Sequence, residues 1–447
     1  MNDDPIKKFR DRSDSDKEHK MESGEITLDD VAEVLSMTIK DDDSNKKIIF
    51  LCMLSTYTED SQINVSLNAP SSTGKTYLVS EVAKLFPKED IIGKSGASPA
   101  SFFYGEGEID PETNIKIISL ERKILIFYEM PNPLLQEKLR ALMSHDDKNL
   151  NYSFVNKNKG RNKTDDIILR GYCATIFCSA GLRLDEQEAT RAILLSPEAT
   201  QEKILQGIEV RVKLGANAKK FNEAVKHDYD RQMLISRIIS IRNAKVDNII
   251  IPNEDEIKRK FLEIVGVLKP RHQRDVAHLM ELIKSITLLN VWHRQDENGR
   301  IIAKQSDIDQ AFKLWEDFFE SQNLNISPTV LDNYKKYILP AYLEKFAKAL
   351  KTNKDLWEDM NLHKIGLTPQ ELNTYHRSIE GISLNGDQLR KEILPQLANA
   401  GHIEWEKPQA EDEDKRTRHI FPMVLTDENK KYIGTYRVEK IPLDPKW

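Results

Sequence analysis

Apolar and polar residues alternate from Ile63 to Leu67, and this alternation predicts a short β-strand. Apolar residues then recur at helical spacing from Tyr77 to Leu85, which predicts an amphipathic helix. The segment between them, residues 68–76, reads Asn-Ala-Pro-Ser-Ser-Thr-Gly-Lys-Thr. The order of strand, loop and helix is the setting in which a phosphate-binding loop occurs.

Further apolar runs predict the other strands of a sheet. They are the runs Asp90–Lys94, Lys123–Tyr128, Ala174–Cys178 and Ala192–Leu195. Continuous apolar strands that are covered on both faces are typical of a parallel sheet. The second run ends at the acid Glu129 and the third at Ser179. An acid at the carboxyl end of such a strand is expected beside the phosphate loop.

Helices are predicted before and after these strands. Thr27 caps a helix that starts at Leu28, a buried helix covers Ser44–Tyr57, another covers Leu134–Ser144, and residues 200–319 are helical throughout. Two strands, Asn151–Val155 and Thr164–Leu169, enclose a segment with four cations around a glycine, which predicts a hairpin with a basic tip. The four cations are Lys157, Lys159, Arg161 and Lys163.

The pattern changes near residue 326. Proline at the first position after Thr368 begins a helix, a second helix covers Gly386–Ala400, and two strands, His402–Glu406 and His419–Val424, follow around a charged loop. Helix, helix and β-hairpin form the winged-helix variant of the helix-turn-helix. Arg390 and Lys391 are its candidate DNA contacts, although the loop mixes acids with bases, and a protein-docking role is the alternative.

Composition narrows the class of protein. The 447 residues carry a net charge of −6, so a nucleic-acid partner would be met by local basic patches. Three cysteines, Cys52, Cys173 and Cys178, lie in apolar runs without metal-ligand spacing, as in a reducing compartment. The charged residues 1–24 are expected to be disordered. A polar start and the lack of a membrane-length apolar run favour a cytoplasmic protein without a membrane partner.

The loop is the candidate ATP site. Its backbone N–H groups would hold phosphate oxygens, Lys75 would reach the β- and γ-phosphates, and Thr76 would bind Mg²⁺. Ala69 occupies the position of the first glycine in the usual pattern, and the alternative is an ordinary helix start with an exposed lysine. The expected nucleotide-binding residues are Ala69, Pro70, Ser71, Ser72, Thr73, Gly74, Lys75, Thr76 and Tyr77.

The order of these features over residues 40–320 resembles the ATPase core of the AAA+ superfamily, in the branch of the minichromosome-maintenance and viral replicative helicases. The resemblance implies a P-loop α/β core with a parallel sheet at residues 25–199, a helical lid at 200–325 and a winged-helix domain at 326–447. In that branch a basic hairpin is inserted before the first-sensor strand, as at residues 157–163. The family also has a large N-terminal DNA-binding domain, and the short stretch before residue 40 is not expected to form one.

The resemblance also implies catalytic roles. Glu129 matches the glutamate that polarises the attacking water. Glu129 and Thr76 together match the residues of the Mg²⁺ site. Ser179 matches the polar sensor, with Ala180 as the alternative alignment. Arg191 matches the arginine finger that enters a neighbouring subunit's site, although it could pair with Glu186 or Glu188. Arg274, or else Arg271, matches the lid arginine, although Arg274 could interact with Asp275 or Glu281.

These roles imply an ATP-driven, ring-forming DNA helicase or translocase of replication, expected to be hexameric, whose basic hairpins contact strand phosphates in the pore. This sequence departs from the family at Tyr128, where the family has an aspartate that orders Mg²⁺. A tyrosine is a poor Mg²⁺ ligand, so the departure predicts slow or absent ATP hydrolysis as an alternative to active hydrolysis. The alternative is an ATP-switched DNA-binding initiator or regulator without unwinding activity. A third reading is a winged-helix regulator with an inactive ATPase remnant.

Overall fold

The computed structural model describes residues 24–105, 107–155, 164–181, 190–198, 200–246, 248–352, 366–407 and 417–423. Contacts between Cα atoms divide the chain into two compact units, and the boundary along the chain lies between Asn323 and Leu324. Among the described helices, none is long and apolar enough to cross a membrane.

The first unit is an α/β structure built on a five-stranded, all-parallel sheet, as the apolar runs predict. The strands of this unit that precede its helical part are β1 Asn64–Asn68, β2 Ile91–Lys94, β3 Glu108–Ile109, β4 Lys116–Ser119, β5 Ile124–Phe127, β6 Asn149–Val155, β7 Thr164–Arg170, β8 Ala174–Ser179 and β9 Ile193–Leu195. The parallel sheet has the order β2-β5-β8-β1-β9. Strand β8 therefore separates β1, which leads into the loop, from β5, which leads to Glu129.

Alternate residues of the central strands face two different cores. Val65 and Leu67 of β1 belong to one core, whereas Phe127 of β5 and Phe177 of β8 belong to the other. The two phenylalanines are register partners and stack with ring centroids 5.2 Å apart. Because both faces are buried, a slip of one residue would move every side chain to the wrong core, so the register is strongly specified.

Helices cover both faces of the sheet. The helices of the first unit are α1 Leu28–Leu35, α2 Asp43–Ser55, α3 Lys75–Ala83, α4 Pro99–Gly105, α5 Pro133–Met143, α6 Gln201–Ala216, α7 Ala218–Lys226, α8 Tyr229–Ala244, α9 Glu254–Val265, α10 His272–Leu289 and α11 Gln305–Leu324. Buried residues of α2, α3 and α10 share the core of Val65, and those of α5 share the core of Phe177. Thr27 forms the predicted capping box with Asp30 at the start of α1.

A second sheet, of order β3-β4-β7-β6, lies in the same unit. Strands β6 and β7 are antiparallel partners from Asn149↔Arg170 to Val155↔Thr164, so the two strands predicted around the basic segment do pair. The four cations at 157, 159, 161 and 163 lie outside the described residues. Helix α4 and strands β3 and β4 are absent from the sequence prediction, because their polar surroundings give no clear periodicity.

The prediction of unbroken helix across residues 200–319 is wrong in one region. Two short strands, β10 Ile249–Ile250 and β11 Ile301–Ile302, pair in parallel there. Two buried polar contacts stabilise this region, one with Ile26 near the N-terminal end of the described chain and one within the region itself. Asn290 exchanges two 2.8 Å hydrogen bonds with the backbone of Ile26, and Arg294 forms a buried bidentate pair with Asp307, both contacts at 2.7 Å.

The second unit has its own apolar core, which includes Leu372, Leu394 and Ile420. Its elements are α12 Pro328–Asn333, a π-helical segment Tyr334–Ile338, α13 Leu339–Thr352, α14 Pro369–Glu380, α15 Gly386–Gln388, a second π-helical segment Leu389–Ile393, α16 Leu394–Asn399, β12 Ile403–Glu406 and β13 His419–Pro422. Strands β12 and β13 are antiparallel, and Leu367 exchanges backbone hydrogen bonds with Ile420 on the outer side of β13.

The pair Arg294–Asp307 tests how the helical region is held. In Asp307→Ala the side chain of Arg294, 1% exposed, would keep the contact with Glu25 and a 3.4 Å hydrogen bond to the carbonyl of His293, but no buried carboxylate partner. Loss of one partner of a buried ion pair costs about 3–5 kcal/mol, so the urea midpoint of the full chain is expected to fall. The control is Glu263→Ala, which removes the exposed pair with Arg259 and should change the midpoint little. Equal midpoints for both variants would contradict the proposed contribution of the buried pair.

Candidate nucleotide-binding site

The loop between β1 and α3 has the backbone form that an anion site requires. Ser72 and Gly74 adopt left-handed φ values of 67° and 93°. Gly74 is the residue before α3, and no side chain caps the first N–H groups of this helix. Ser71, Ser72, Gly74 and Thr76 are exposed around these groups. The loop can therefore present unpaired backbone donors and a helix N-terminus to phosphate oxygens.

Lys75 is held within the loop. Its ammonium donates hydrogen bonds of 2.6 Å to the carbonyls of Ala69 and Pro70, and the residue is 8% exposed. Burial lowers the pKa of Lys75 below its usual value, and nearby Cys178 opposes the shift. This position contradicts the alternative of an ordinary helix start with an exposed lysine. The ammonium lies at the centre of the loop, where a phosphate would be bound.

Three polar residues at or just after the ends of neighbouring strands lie at the same level beside this loop. Asn68, the last residue of β1, is the register partner of Ser179, the last residue of β8. Phe127 of β5 and Phe177 of β8 are register partners. Glu129 and Ser179 each come two residues later in their own strand direction, so they are level with each other. Adjacent strands lie about 4.8 Å apart, which places Glu129 about 10 Å from β1, across β8. Ala180 lies beyond the end of the strand, so Ser179 is the residue beside Asn68.

Glu129 is exposed, and its Oε2 lies 3.9 Å from the position that a Cβ on Gly96 would occupy. Tyr128 takes another direction. Its ring packs over Gly93 of β2, where an added Cβ would lie 3.0 Å from the ring carbon Cε2, and it joins the core on that face. Strand β2 lies on the far side of β5 from the loop. Tyr128 thus fills space next to an outer strand and supplies no carboxylate to the loop.

Arg191 lies at the opposite side of the sheet, where the parallel strands begin. Its Nε donates to Oγ of Ser144 at 2.8 Å, and its carbonyl accepts from the side chain of Asn64, the first residue of β1. Ile193 is the register partner of Val65. Arg191 comes two residues before Ile193, so it is level with the residue that precedes β1. At about 3.3 Å per residue it is about 17 Å from the carboxyl end of β1. Arg191 cannot reach the loop of its own chain.

Arg274 lies near Arg191. One of its terminal nitrogens donates to the Thr190 hydroxyl, next to Arg191 in the chain, and the residue is exposed. The alternative residue, Arg271, is instead paired with Asp275 through two 2.9 Å contacts and donates to Gln322. Arg271 is therefore a structural residue. The geometry brings Arg191 and Arg274 together and separates both from Lys75 and Glu129.

A buried histidine, His278, lies near Thr190 and therefore near the two arginines. His278 is buried on α10, and its Nδ1 lies 3.0 Å from Oε2 of Glu281. Burial opposes its charged form, but the hydrogen bond and charge of Glu281, the charge of Asp275 and the Thr190 carbonyl together raise the pKa of His278. Burial lowers the pKa of nearby His145, although the charge of Glu281 opposes that shift.

Sequence reasoning missed a set of polar residues that bracket the loop. Ser196 donates from its hydroxyl to the carbonyl of Asn68 at 2.5 Å, and its own carbonyl accepts from Asn45. Buried Asp42 accepts from Asn45 and from Lys203 of α6. These contacts connect the start of α2, the end of β9 and the start of α6. The run of acids at residues 41–43 was the available signal.

Helix α6 also contacts the far end of the loop. The guanidinium of Arg211 lies 5.1 Å from the ring centroid of Tyr77, and the Tyr77 hydroxyl donates to the carbonyl of Thr38 at 3.0 Å. Burial and the charge of Glu81 raise the pKa of Tyr77 to about 12, so the hydroxyl stays protonated. Tyr77 therefore links the segment between α1 and α2 to the helix that follows the sheet.

The remaining predicted residues fall into two groups. The basic hairpin tip, with Lys157, Lys159, Arg161 and Lys163, lies outside the described residues. Arg390 and Lys391 are both exposed in the second unit, and Lys391 lies 3.3 Å from Asp387. Within the described ranges, no group of three or more His, Cys, Asp or Glu side chains could hold a metal ion. A Mg²⁺ ion bound mainly through phosphates, waters and Thr76 needs no such group.

A scan against protein-family models gives no match for this chain, and a search of curated proteins also gives none.

The pKa of His278 leads to a pH-dependent prediction. A histidine with a raised pKa adds stability that is complete below the unfolded pKa, about 6.5, and is lost as the pH rises through the folded value. His278→Gln should therefore destabilise the chain more at about pH 5.5 than at about pH 8.5. Urea unfolding at both values measures the difference. His145→Gln is the matched control and should show the opposite trend, because the pKa of His145 is lowered. A pH-independent difference for His278→Gln would refute the assignment.

Proposed function

We propose that this protein is an ATPase whose active sites form between neighbouring copies of the chain, as in the AAA+ proteins that the sequence resembles. The observation that carries the proposal is the separation of the candidate groups. Lys75 and Glu129 lie at the carboxyl edge of the sheet, and Arg191 and Arg274 lie at the other edge, about 17 Å away along the strands. A head-to-tail ring would bring the second edge of one copy to the first edge of the next.

Each group has a chemical task in this proposal. The loop N–H groups and Lys75 bind the β- and γ-phosphates, and the Thr76 hydroxyl is the protein ligand for Mg²⁺, which would neutralise phosphate charge. Glu129 accepts a proton from the attacking water, and Ser179, between the loop and Glu129, orients that water. Arg191, positioned by Ser144, and Arg274, positioned by Thr190, stabilise negative charge that develops in the neighbour's site.

Several features support the AAA+ assignment. The chain following the sheet consists mainly of helices, α6 to α11, interrupted by the short strands β10 and β11, and this is where the resemblance implies a lid. The antiparallel pair β6–β7 immediately precedes β8, where the resemblance implies a pore hairpin. In the second unit, α14, the helical stretch from α15 to α16 and the β12–β13 pair follow the order of a winged helix. The biological role that fits these parts is a DNA helicase or translocase, assembled as a hexamer.

The shared-site arrangement leads to a prediction about two variants. Lys75→Ala should lose ATP binding, whereas Arg191→Ala should still bind ATP and hydrolyse it about 10³-fold or more slowly. Both are expected to be inactive alone. Mixed in equal amounts, they should regain activity, because about a quarter of the interfaces in a random ring would combine an intact Lys75 with an intact Arg191.

The measurement is phosphate release, with nucleotide binding and oligomeric state determined in parallel. The control mixture combines Lys75→Ala with Glu129→Gln, both of which affect the same edge. In this mixture, a Glu129→Gln site lacks its base whichever neighbour it has, so it should stay inactive. Normal hydrolysis by Arg191→Ala alone, or no recovery in the first mixture despite assembly, would contradict a shared site.

The second candidate function is an ATP-dependent switch that assembles on DNA without unwinding it. The direction of Tyr128 favours it, because the ring packs toward Gly93 and leaves the position without a Mg²⁺-ordering carboxylate. Slow hydrolysis would then prolong the ATP-bound assembly. The expected DNA contacts are the same in both functions.

Strand displacement separates the two functions. A motor should show ATP hydrolysis stimulated by single-stranded DNA and should displace an annealed strand. A switch should bind DNA in an ATP-dependent manner and hydrolyse slowly, without displacement. The variant Glu129→Gln is the control for both assays, since it should bind ATP and remain assembled. Assembly and DNA binding that do not respond to ATP would contradict both functions.

A further inference from the structure

We infer that the second unit binds a single nucleotide unit, a base with its phosphate, in the cavity between the start of α14, the helical stretch from α15 and the β12–β13 strands. This cavity has a volume of about 610 Å³, in the range of sites for small organic ligands. The inference goes beyond the proposed ATPase, because it concerns another unit and does not depend on hydrolysis.

Two arginines make the cavity a site for an anion. Arg390 and Arg418 both line it, both are exposed, and neither forms an ion pair within the described part of the chain. None of the described residues that line the cavity is acidic. Lys391 differs, because it lies beside Asp387. Guanidinium groups bind phosphate in a bidentate manner, so two unpaired ones at the same cavity favour a phosphate ligand.

The same cavity contains a surface for a planar ring. Trp405 of β12 is half-buried against the core of the second unit and lines the cavity, and the Arg418 guanidinium lies 5.1 Å from its ring centroid. Nucleobases stack on aromatic rings and on guanidinium planes. The indole Nε1 is also buried and has no hydrogen-bond partner in the described chain. A buried donor without an acceptor is costly unless a ligand supplies one.

Two amides can contact the edge of such a ring. Gln370 and Asn373, on the first turns of α14, also line the cavity. Oδ1 of Asn373 accepts from the backbone N–H of Leu384 at 2.8 Å, which leaves its amino group as the donor available to a ligand. Arginines, a stackable ring and amides together match a nucleotide better than an inorganic anion, an acidic peptide or an apolar ligand.

The nucleotide could be free or could belong to a nucleic-acid strand, and the experiment distinguishes these sources. Binding is measured by calorimetry on the full chain carrying Lys75→Ala, which removes the phosphate loop as a competing site. The probes are thymidine 5′-monophosphate, thymidine, inorganic phosphate and a single-stranded oligothymidylate. Binding of the monophosphate indicates a free ligand. Binding of the oligonucleotide alone indicates a strand if the arginine variants below weaken it, since the basic segment at residues 157–163 is expected to bind a strand without them. In either case thymidine and inorganic phosphate should each bind about tenfold or more weakly.

Arg390→Ala and Arg418→Ala should each weaken binding about tenfold, because each removes a charged hydrogen-bond donor from an exposed position. Trp405→Phe keeps an aromatic ring in the core and should weaken binding severalfold. The matched control is Arg377→Ala, an exposed arginine of α14 that does not line the cavity, and it should bind normally.

Equal affinity for inorganic phosphate, unchanged affinity in both arginine variants, or no binding of either nucleotide probe would overturn the inference. Because Lys75→Ala is the background, these outcomes leave the ATPase proposal untouched.

Discussion

The parallel pairing of β8 between β5 and β1 is the constraint on which the candidate site depends. Each of these strands is buried on both faces, and the partners Phe127–Phe177 and Asn68–Ser179 keep the three strands in one register. A shift by one residue would exchange the two cores and would turn Ser179 away from the face it shares with Asn68. Packing of the cores therefore also determines which polar groups lie beside the loop between β1 and α3.

The same register places the loop at the carboxyl ends of the parallel strands and Arg191 at their amino ends. Asn68 and Ser179 end their strands at the loop edge, where Ser196 binds the carbonyl of Asn68. Asn64 begins β1 at the other edge, where its side chain donates to the carbonyls of Met143 and Arg191. The loop follows β1 and Arg191 precedes β9, and the pairing of these two strands keeps the loop and Arg191 apart within a chain. This separation is the physical basis for proposing a site that two copies share.

Much of this arrangement was predictable from local patterns. The loop, the five parallel strands and the helices α2, α3 and α5 follow from apolar periodicity and turn chemistry, which depend on neighbours in the chain. Arg271 and Arg274 could not be separated in this way, since they are three residues apart with equal charge. Only packing shows that Asp275 and Gln322 bind the first, whereas the second remains exposed beside Thr190. The direction of Tyr128 similarly depends on the gap above Gly93, which belongs to another strand.

The sequence by itself determined the elements and the residue types near their ends, because strand and helix periodicity and the glycine-lysine-threonine loop are local properties. Tertiary structure decided the strand order, the edge at which each polar group lies and the cavity formed by Trp405, Arg390 and Arg418. These features depend on contacts between residues far apart in the chain. Such contacts result from the burial of apolar surface on both faces of one sheet or around one core, and no local pattern records them.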